Sequence, residues 1–441
     1  MTRQSAFPVP RPLPRAIASL HALAREIQGE IIHPEHNGYD GARRVFNAAI
    51  DRHPLAIVRP RCVADVAAAV RYTRRHDIPL TVRGGGHHFA GHAMIDGGVT
   101  IDLGLMRTVT VDVQRRIARV EGGALWGDVD RATQSHGLAT PGGTVMSVGV
   151  AGFTLGGGIG RLSRAHGLAA DNLVSAEIVT PDGNCVTVRE DEHESLFWAI
   201  RGGGGGFGVV TSFEFRLHQI DDVWGGAIAY RIEDAPRVLR VVRDLMITAS
   251  DDLNVSTVIM RNQGRPILVL NPLWIGAPAA GDEAVRGLRE AAEPIIDRYG
   301  PTTYHALQSV DAVGGRRGWE SSAFLDQLFD DTIDSLVAYA ATAPLAAPRI
   351  ALLSLGGAVS RVASNATAFG GRGAQWLVQA GASWEAESDD VAARAWTDQL
   401  HKLVRDDSTG IGYINMLSGD RPTHSAWTRT RLRAVRAGVG G

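Results

Sequence analysis

Two cysteines in 441 residues, Cys62 and Cys185, are too few and too far apart to form a disulfide framework. Charge of one sign is not in excess: the formal net charge is −2, which gives no electrostatic reason to expect nucleic acid or an anionic membrane as partner. No uninterrupted apolar run is long enough to span a bilayer. The opening MTRQSAFPVPRPLPR carries prolines where a signal peptide carries its apolar core. The expectation is a soluble, cytoplasmic protein, and no internal repeat suggests a solenoid. The length exceeds one ordinary core, so two domains, or one domain with a large insertion, are expected.

Glycine is abundant instead. There are 52, clustered at Gly84 to Gly86, Gly156 to Gly158 and Gly202 to Gly206. Each cluster lies between apolar segments, as loops inside a folded domain do, rather than in a long polar stretch as in a linker. Up to residue 219 the pattern alternates short strands and helices. Strands are expected at 54–60, 78–82 and 99–103, with an amphipathic helix through VADVAAAVRYTRRHD between the first two. A hairpin TVTVD/IARVE, a helix LWGDVDRATQSHG, a strand–turn–strand SAEIVTPDGNCVTV, a helix SLFWAI and a strand GVVTSFEFRL follow.

From about residue 220 glycine clusters stop. Strands GAIAYRI, NVSTVIM, PILVLNPLW, RIALLSLGG and QWLVQAGASWE alternate with helices RVLRVVRDLMI, DEAVRGLREAAEPIIDRY, DDTIDSLVAYAA and DVAARAWTDQLHKLVRD. Strands in immediate succession favour an antiparallel sheet covered by helices. AYAATAPLAAP (338–348) reads as small and loop-like at its end.

Histidine and glycine meet in VRGGGHHFAGHAMIDGGVTIDL (82–103). His88 and His92, four apart, would share a metal on a helix, but flanking glycines and strands argue against a helix and no further ligand lies at metal spacing, so no metal is expected. Gly203, Gly205 and Gly208 formally match G-x-G-x-x-G. That fingerprint needs a strand before it and a helix after it, and here the order is reversed. Several glycine loops at strand and helix ends can still present backbone N–H groups to a long phosphate-bearing ligand.

Three stretches in order, VRGGGHHFAGHAMIDGGVTIDL, TPGGTVMSVGVAGFTLGGGIGRLSRAHGLAADNLVSAEIVTPDG and LFWAIRGGGGGFGVVTSFEF, resemble the FAD-linked oxidases of the vanillyl-alcohol-oxidase superfamily, and most of all their berberine-bridge-enzyme-like branch. The resemblance covers 48–219 firmly and extends more loosely to about 415. It implies an α+β fold: a two-lobed PCMH-type FAD-binding domain (1–219, core 48–219), a substrate domain with an antiparallel sheet covered by helices (220–404), and a C-terminal segment (405–441) returning to the first domain.

The resemblance also implies that the histidine after the R-x-G-G run, His87, is bonded through its ring to the flavin, with His87 as an ordinary loop residue and FAD held without a bond as the alternative. Alkylation of this kind makes the flavin more electron-accepting. The remaining cofactor-binding residues carried over are Arg83, Gly84, Gly85, Gly86, His88, Ser147, Val148, Gly149, Gly152, Leu155, Gly156, Gly157, Gly158, Gly160, Asp171, Val179, Gly208, Val209, Tyr413 and Asn415. Val145 stands where many relatives have a second flavin-linking cysteine, so a single link through His87 is expected. Val148 resembles the small gate that admits O₂.

Gly206 replaces a usual asparagine in the third glycine run. In the substrate region, Trp319-Glu320-Ser321 stands for W-K-S, and Gly370-Gly371-Arg372 for P-H-R. Tyr413-Ile414-Asn415 resembles the family's Y-x-N. The closing D-P-x-N-x-F segment is absent, so one wall of the flavin pocket is expected to be incomplete or built differently. Tyr413 is the first candidate for the base that accepts the substrate's proton, and Glu320 the second. The function implied is an oxidase acting on a small organic molecule, an alcohol, sugar, amine or natural-product intermediate, with O₂ reduced to H₂O₂. A dehydrogenase using another acceptor and a catalytically impaired flavin-binding protein are the alternatives. Segments around Trp274, Trp319, Trp376 and Trp384 lean towards an aromatic substrate. A monomer or homodimer is expected.

Overall fold

The computed structural model describes residues 14–419 apart from 311, 313, 342 and 344–346, together with 423–424 and 426–440. The loop expected at the end of 338–348 and the proline-rich opening fall largely outside these residues.

In the first lobe, strands Ala56–Arg59, Val99–Asp102 and Leu80–Arg83 run parallel, with Glu30–Ile32 antiparallel at one edge. Parallel neighbours require a crossover. Helix Val63–Arg75 supplies one, burying Val66, Ala69 and Val70 against Val58, Val99 and Ile101. A helix not foreseen in the sequence, Pro14–Glu26, adds Leu20 and Leu23 to this core.

The second lobe is a five-stranded antiparallel sheet in the order Val109–Asp112, Ile117–Glu121, Val209–Arg216, Leu173–Val179, Cys185–Arg189. Phe213 and Phe215 on its central strand are fully buried against Trp126 and Trp198. Both lobes therefore carry the elements that the alternation of apolar runs predicts.

Beyond residue 221 the strands form one large antiparallel sheet, whose central run is Arg265–Trp274, Leu253–Asn262, Ala347–Ser354, Trp376–Trp384, Arg317–Leu325. Helices Ala235–Thr248, Asp330–Ala341 and Asp390–Asp398 cover one face with Val238, Leu239, Ile333, Leu336, Ala393 and Trp396. This is the expected α+β architecture. Among the described residues no helix is long and apolar enough to cross a membrane.

Local readings differ in three places. Helix DEAVRGLREAAEPIIDRY shrinks to Arg286–Ala291 after a 3₁₀ turn, and Ile296–Asp297 becomes a strand. Pro294 disfavours helical backbone in the residue before it, and Ala292 is already extended. The helix expected over DVAARAWTDQLHKLVRD divides into Asp390–Asp398 and Leu400–Leu403. Strand Arg317–Leu325 was not foreseen, since its centre, Glu320-Ser321-Ser322-Ala323, lacks the β-branched residues that mark a strand.

One buried acid stands apart from these cores. Asp130, on helix Trp126–Gln134, is 3% exposed, and burial pushes its pKa up to about 8 despite a hydrogen bond from Gln308. An acid whose folded pKa is raised stays protonated while the unfolded chain ionises, so its stability is present below about pH 4 and is lost as pH rises towards 8. Asp130→Asn is therefore expected to raise the melting temperature, with a gain that grows between pH 5 and pH 8 and reaches the order of 4 kcal/mol. Thermal melts of both proteins at the two pH values check it; a gain independent of pH would remove the titration of Asp130 as its cause.

Candidate functional site

A single cavity of about 1230 Å³ runs from the first lobe, past the glycine loops, to the uncovered face of the large sheet. Its walls are made by main chain where the lobes meet. A Cβ on Gly85 would lie 2.4 Å from the backbone N of Gly149, and one on Gly149 would lie 2.2 Å from the N of Gly85. No other residue permits the two loops to touch backbone to backbone. Gly208 repeats the device at φ +137°, where a Cβ would meet the carbonyl of Val179. The result is a groove walled by closely approaching glycine main chain, which leaves room for a phosphate-bearing ligand.

His87 lines this groove and stacks on Phe46, with ring centroids 4.3 Å apart and planes 22° apart. The neighbouring loop is held by a hydrogen bond from Phe46 N to Gly86 O. His88 has another task. Its Nδ1 accepts from Ala90 N, so its Nε2–H donates to Ile414 O at 2.8 Å. Burial pushes its pKa down to about 4, which keeps it neutral and tied to the Tyr413-Ile414-Asn415 segment. The rings of His88 and His92 lie 4.6 Å apart, and among the described residues no group of three metal-binding side chains forms.

The opposite wall is the sheet's uncovered face. Strand periodicity places alternate residues on opposite sides. Val255, Ile259, Ile350, Leu352, Val378, Ala380 and Ala323 enter the helix-covered core, while Asn254, Ser256, Arg349, Gln379, Ser383 and Glu320 line the cavity. Each buried polar group left without a partner costs about 1–3 kcal/mol. A face this polar, turned inward, is built to meet a polar molecule.

Glu320 is the only carboxylate lining the cavity among the described residues. It is 4% exposed, and burial raises its pKa while Arg349 and a hydrogen bond from Gln379 oppose the rise. The pair depends on a glycine. Arg349 and Glu320 sit on the two strands flanking Gly381, both in register with it, and a Cβ there would lie 2.8 Å from the Arg349 guanidinium carbon. The guanidinium crosses over Gly381 to reach the carboxylate.

Tyr413 also lines the cavity, 1% exposed. Its hydroxyl oxygen accepts from Gly158 N and Ile159 N, each at 3.1 Å, and from Asn415 Nδ2 at 2.9 Å. Burial pushes its pKa up to about 12 in spite of these donors. At neutral pH it is a phenol whose lone pairs are occupied.

Most residues carried over from the resemblance meet at the cavity: Gly84, Gly85, Gly86, His87, His88, Val148, Gly149, Gly152, Leu155, Gly160, Val179, Gly208, Val209, Tyr413 and Asn415. Six lie behind its wall. Arg83 pairs with Asp102, and Asp171 takes both terminal nitrogens of Arg372 at 2.7 and 2.5 Å, so each is spent on a structural ion pair. Gly156 and Gly157 give room to Asn415 and the Phe369 ring, Gly158 serves Tyr413, and Ser147 lies outside the lining.

The tryptophans behind the aromatic lean lie elsewhere. Trp376 and Trp384 belong to the helix-covered core, and Trp274 and Trp319 pack against it, so none of the four lines the cavity. Helix Ala426–Gly440 packs Leu432 and Val435 into the second lobe's core, and none of its described residues lines the cavity. Arg436 Nη2 donates to Gly205 O at 3.1 Å, beside the cavity-lining third glycine run. Phe46, Arg161, Asn254, Arg349 and Gln379 were not anticipated. Phe46 lies just before the stretch that the resemblance covers firmly, and no motif marks it.

A groove walled by glycine main chain, a histidine lining it and a volume beyond the roughly 300–1,000 Å³ of ordinary ligand pockets fit FAD with space left for a substrate. Comparison with known proteins agrees. Residues 54–189 match the FAD binding domain family. The chain is 30% identical to the (R)-6-hydroxynicotine oxidase of Paenarthrobacter nicotinovorans over 70% of this chain and 69% of that protein. It is also 30% identical to the glucooligosaccharide oxidase of Sarocladium strictum, over 87% and 76% respectively. Among solved structures, 6-hydroxy-D-nicotine oxidase from Arthrobacter nicotinovorans superposes with a TM-score of 0.85 at 24% identity, covering 94% of this chain and 95% of that one. Berberine bridge enzyme from Eschscholzia californica superposes with a TM-score of 0.82 at 21% identity, over 90% and 87%.

Proposed function

We propose that this chain, which belongs to the FAD-linked oxidoreductases of the vanillyl-alcohol-oxidase superfamily, is an oxidase that dehydrogenates a small polar molecule at a CH–OH or CH–NH group and passes the electrons to O₂. One observation carries the reading: a single cavity joins the glycine loops and His87 to the polar sheet face bearing Glu320, Arg349 and Gln379. The names of two relatives, a hydroxynicotine oxidase and a glucooligosaccharide oxidase, span an amine-bearing and a hydroxyl-bearing class.

FAD, when bound, accepts two electrons with the hydrogen of the substrate C–H and delivers them to O₂, giving H₂O₂. His87 is the residue that would tether it, and Val145 offers no thiol for a second link. The loops around Gly84 to Gly86 and Gly149 would hold its diphosphate. The second proton, left on the substrate's oxygen or nitrogen, needs an acceptor with a pKa near the working pH. Glu320 answers that need better than Tyr413, because burial moves the carboxyl up towards neutrality and the phenol away from it. Tyr413 then holds the Gly158–Ile159 turn against Asn415 and presents its own O–H as a donor.

The purified protein is expected to be yellow and to release peroxide with at least one member of a panel of sugars, hydroxy acids and amines. Reduced flavin that persists in air would assign a dehydrogenase instead, and flavin that no panel member reduces would assign a binding protein.

A further inference from the structure

Four arginines line the cavity, and three are accounted for. Arg349 is paired with Glu320, Arg316 faces Glu385 at 3.7 Å, and Arg74 is exposed at the first lobe. The fourth is Arg161. Its Nε is sealed from water with no hydrogen-bond partner, and none of the described carboxylates comes within ion-pair distance of its guanidinium. Its polar neighbour, Tyr304, is itself fully buried, and burial holds that phenol far above the range where it could ionise.

A half-buried guanidinium whose Nε is shut off from water and that has no counter-charge is unfavourable unless something in the cavity completes it. The segment around Arg161 abuts the substrate sheet. Three residues on, Arg164 donates from Nε to Leu253 O at 2.9 Å and also reaches Leu355 O, bracing the sheet end that bears the cavity-lining Asn254 and Ser354. Gly160, just before it, packs against the carbonyl of Gly142.

We propose that the molecule oxidised here carries a carboxylate, and that Arg161 is the residue that receives it. This rests on the oxidase reading above and narrows its substrate class. Asn254, Ser256 and Gln379 supply neutral hydrogen-bonding partners for the rest of the molecule, and Glu320 takes the proton from the oxygen or nitrogen borne by the carbon that is oxidised. A planar guanidinium fork matches a carboxylate in two parallel hydrogen bonds, which a neutral amide cannot reproduce.

The test is an anaerobic titration of the flavin-loaded protein, followed by its visible spectrum, with benzoate against benzamide, phenylacetate against phenylacetamide and D-glucuronate against D-glucose. At least one acid is expected to perturb the flavin bands with a Kd tenfold or more below that of its neutral partner. Arg161→Met should erase that difference while keeping full flavin content, and Arg161→Lys should retain part of it. Equal affinity for acid and neutral partner, or no perturbation by any acid, overturns the proposal. So does an Arg161→Met protein that has lost FAD, which would assign the arginine to the coenzyme's phosphates. An Arg161→Met protein that keeps the preference but has a lower reduction potential also overturns it, by assigning the arginine to the reduced flavin. A wild-type protein with no flavin absorbance sinks the oxidase reading itself, which separates the two failures.

Discussion

Alanine at position 87 is expected to turn a protein whose yellow colour survives acid precipitation into one that leaves free FAD in the supernatant. His87 lines the cavity with its ring stacked on Phe46, next to Gly86, whose carbonyl accepts from Phe46 N. Loss of an alkyl-type bond to the flavin should also make it a poorer electron acceptor. A fall of about 60 mV in the two-electron potential corresponds to roughly a hundredfold in the reduction equilibrium. Potentiometric titration of wild type and variant measures it, and turnover should fall with it. A colourless wild-type pellet would refute the tether outright, and an unchanged potential in the variant would refute its electronic role.

The second large effect is at position 320. Glu320→Gln keeps the size of the side chain and a partner for Arg349, but removes the only carboxylate in the cavity wall among the described residues. Flavin reduction by substrate is expected to slow by about 10²–10⁴-fold, the usual contribution of a positioned base. The wild-type rate should rise with pH through a limb above the ordinary carboxylate range, because burial raises the pKa of Glu320, and the limb should vanish in the variant. Tyr413→Phe serves as the comparison. With its pKa at about 12, Tyr413 cannot produce that limb, so the variant should keep it even if the rate falls. Rapid-mixing measurement of flavin reduction across pH decides between them. Loss of the limb in Tyr413→Phe and its survival in Glu320→Gln would reverse the assignment.

How far the site could be read from the chain depends on how local each part is. The groove is local: glycine runs, the histidine after them and the strands on either side lie within short stretches, so His87, Gly85 and Gly149 were identifiable. The substrate wall is not local. Arg349 and Glu320 come together only because both strands register on Gly381, a pairing fixed by the whole sheet. Alternation shows that Trp376 and Trp384 share one face of their strand, but not which face meets the cavity, and here it is the helix-covered one. The pairing of Asp171 was hidden for a similar reason. Its partner, Arg372, is 201 residues away, and no local pattern signals that the carboxylate is already engaged. Arg161 was invisible because an arginine in a glycine-rich loop is ordinary until its surroundings prove to hold no acid.

Gly381 gives the active site an unusual sort of control knob. The hydrogen that stands in for a side chain there leaves a corridor about one guanidinium wide, and through it a cation tempers an acid two strands away. A single methyl placed in that corridor would crowd the arginine without touching any substrate. An enzyme lineage could therefore retune the alkalinity at which it works by changing one position that takes no part in its chemistry.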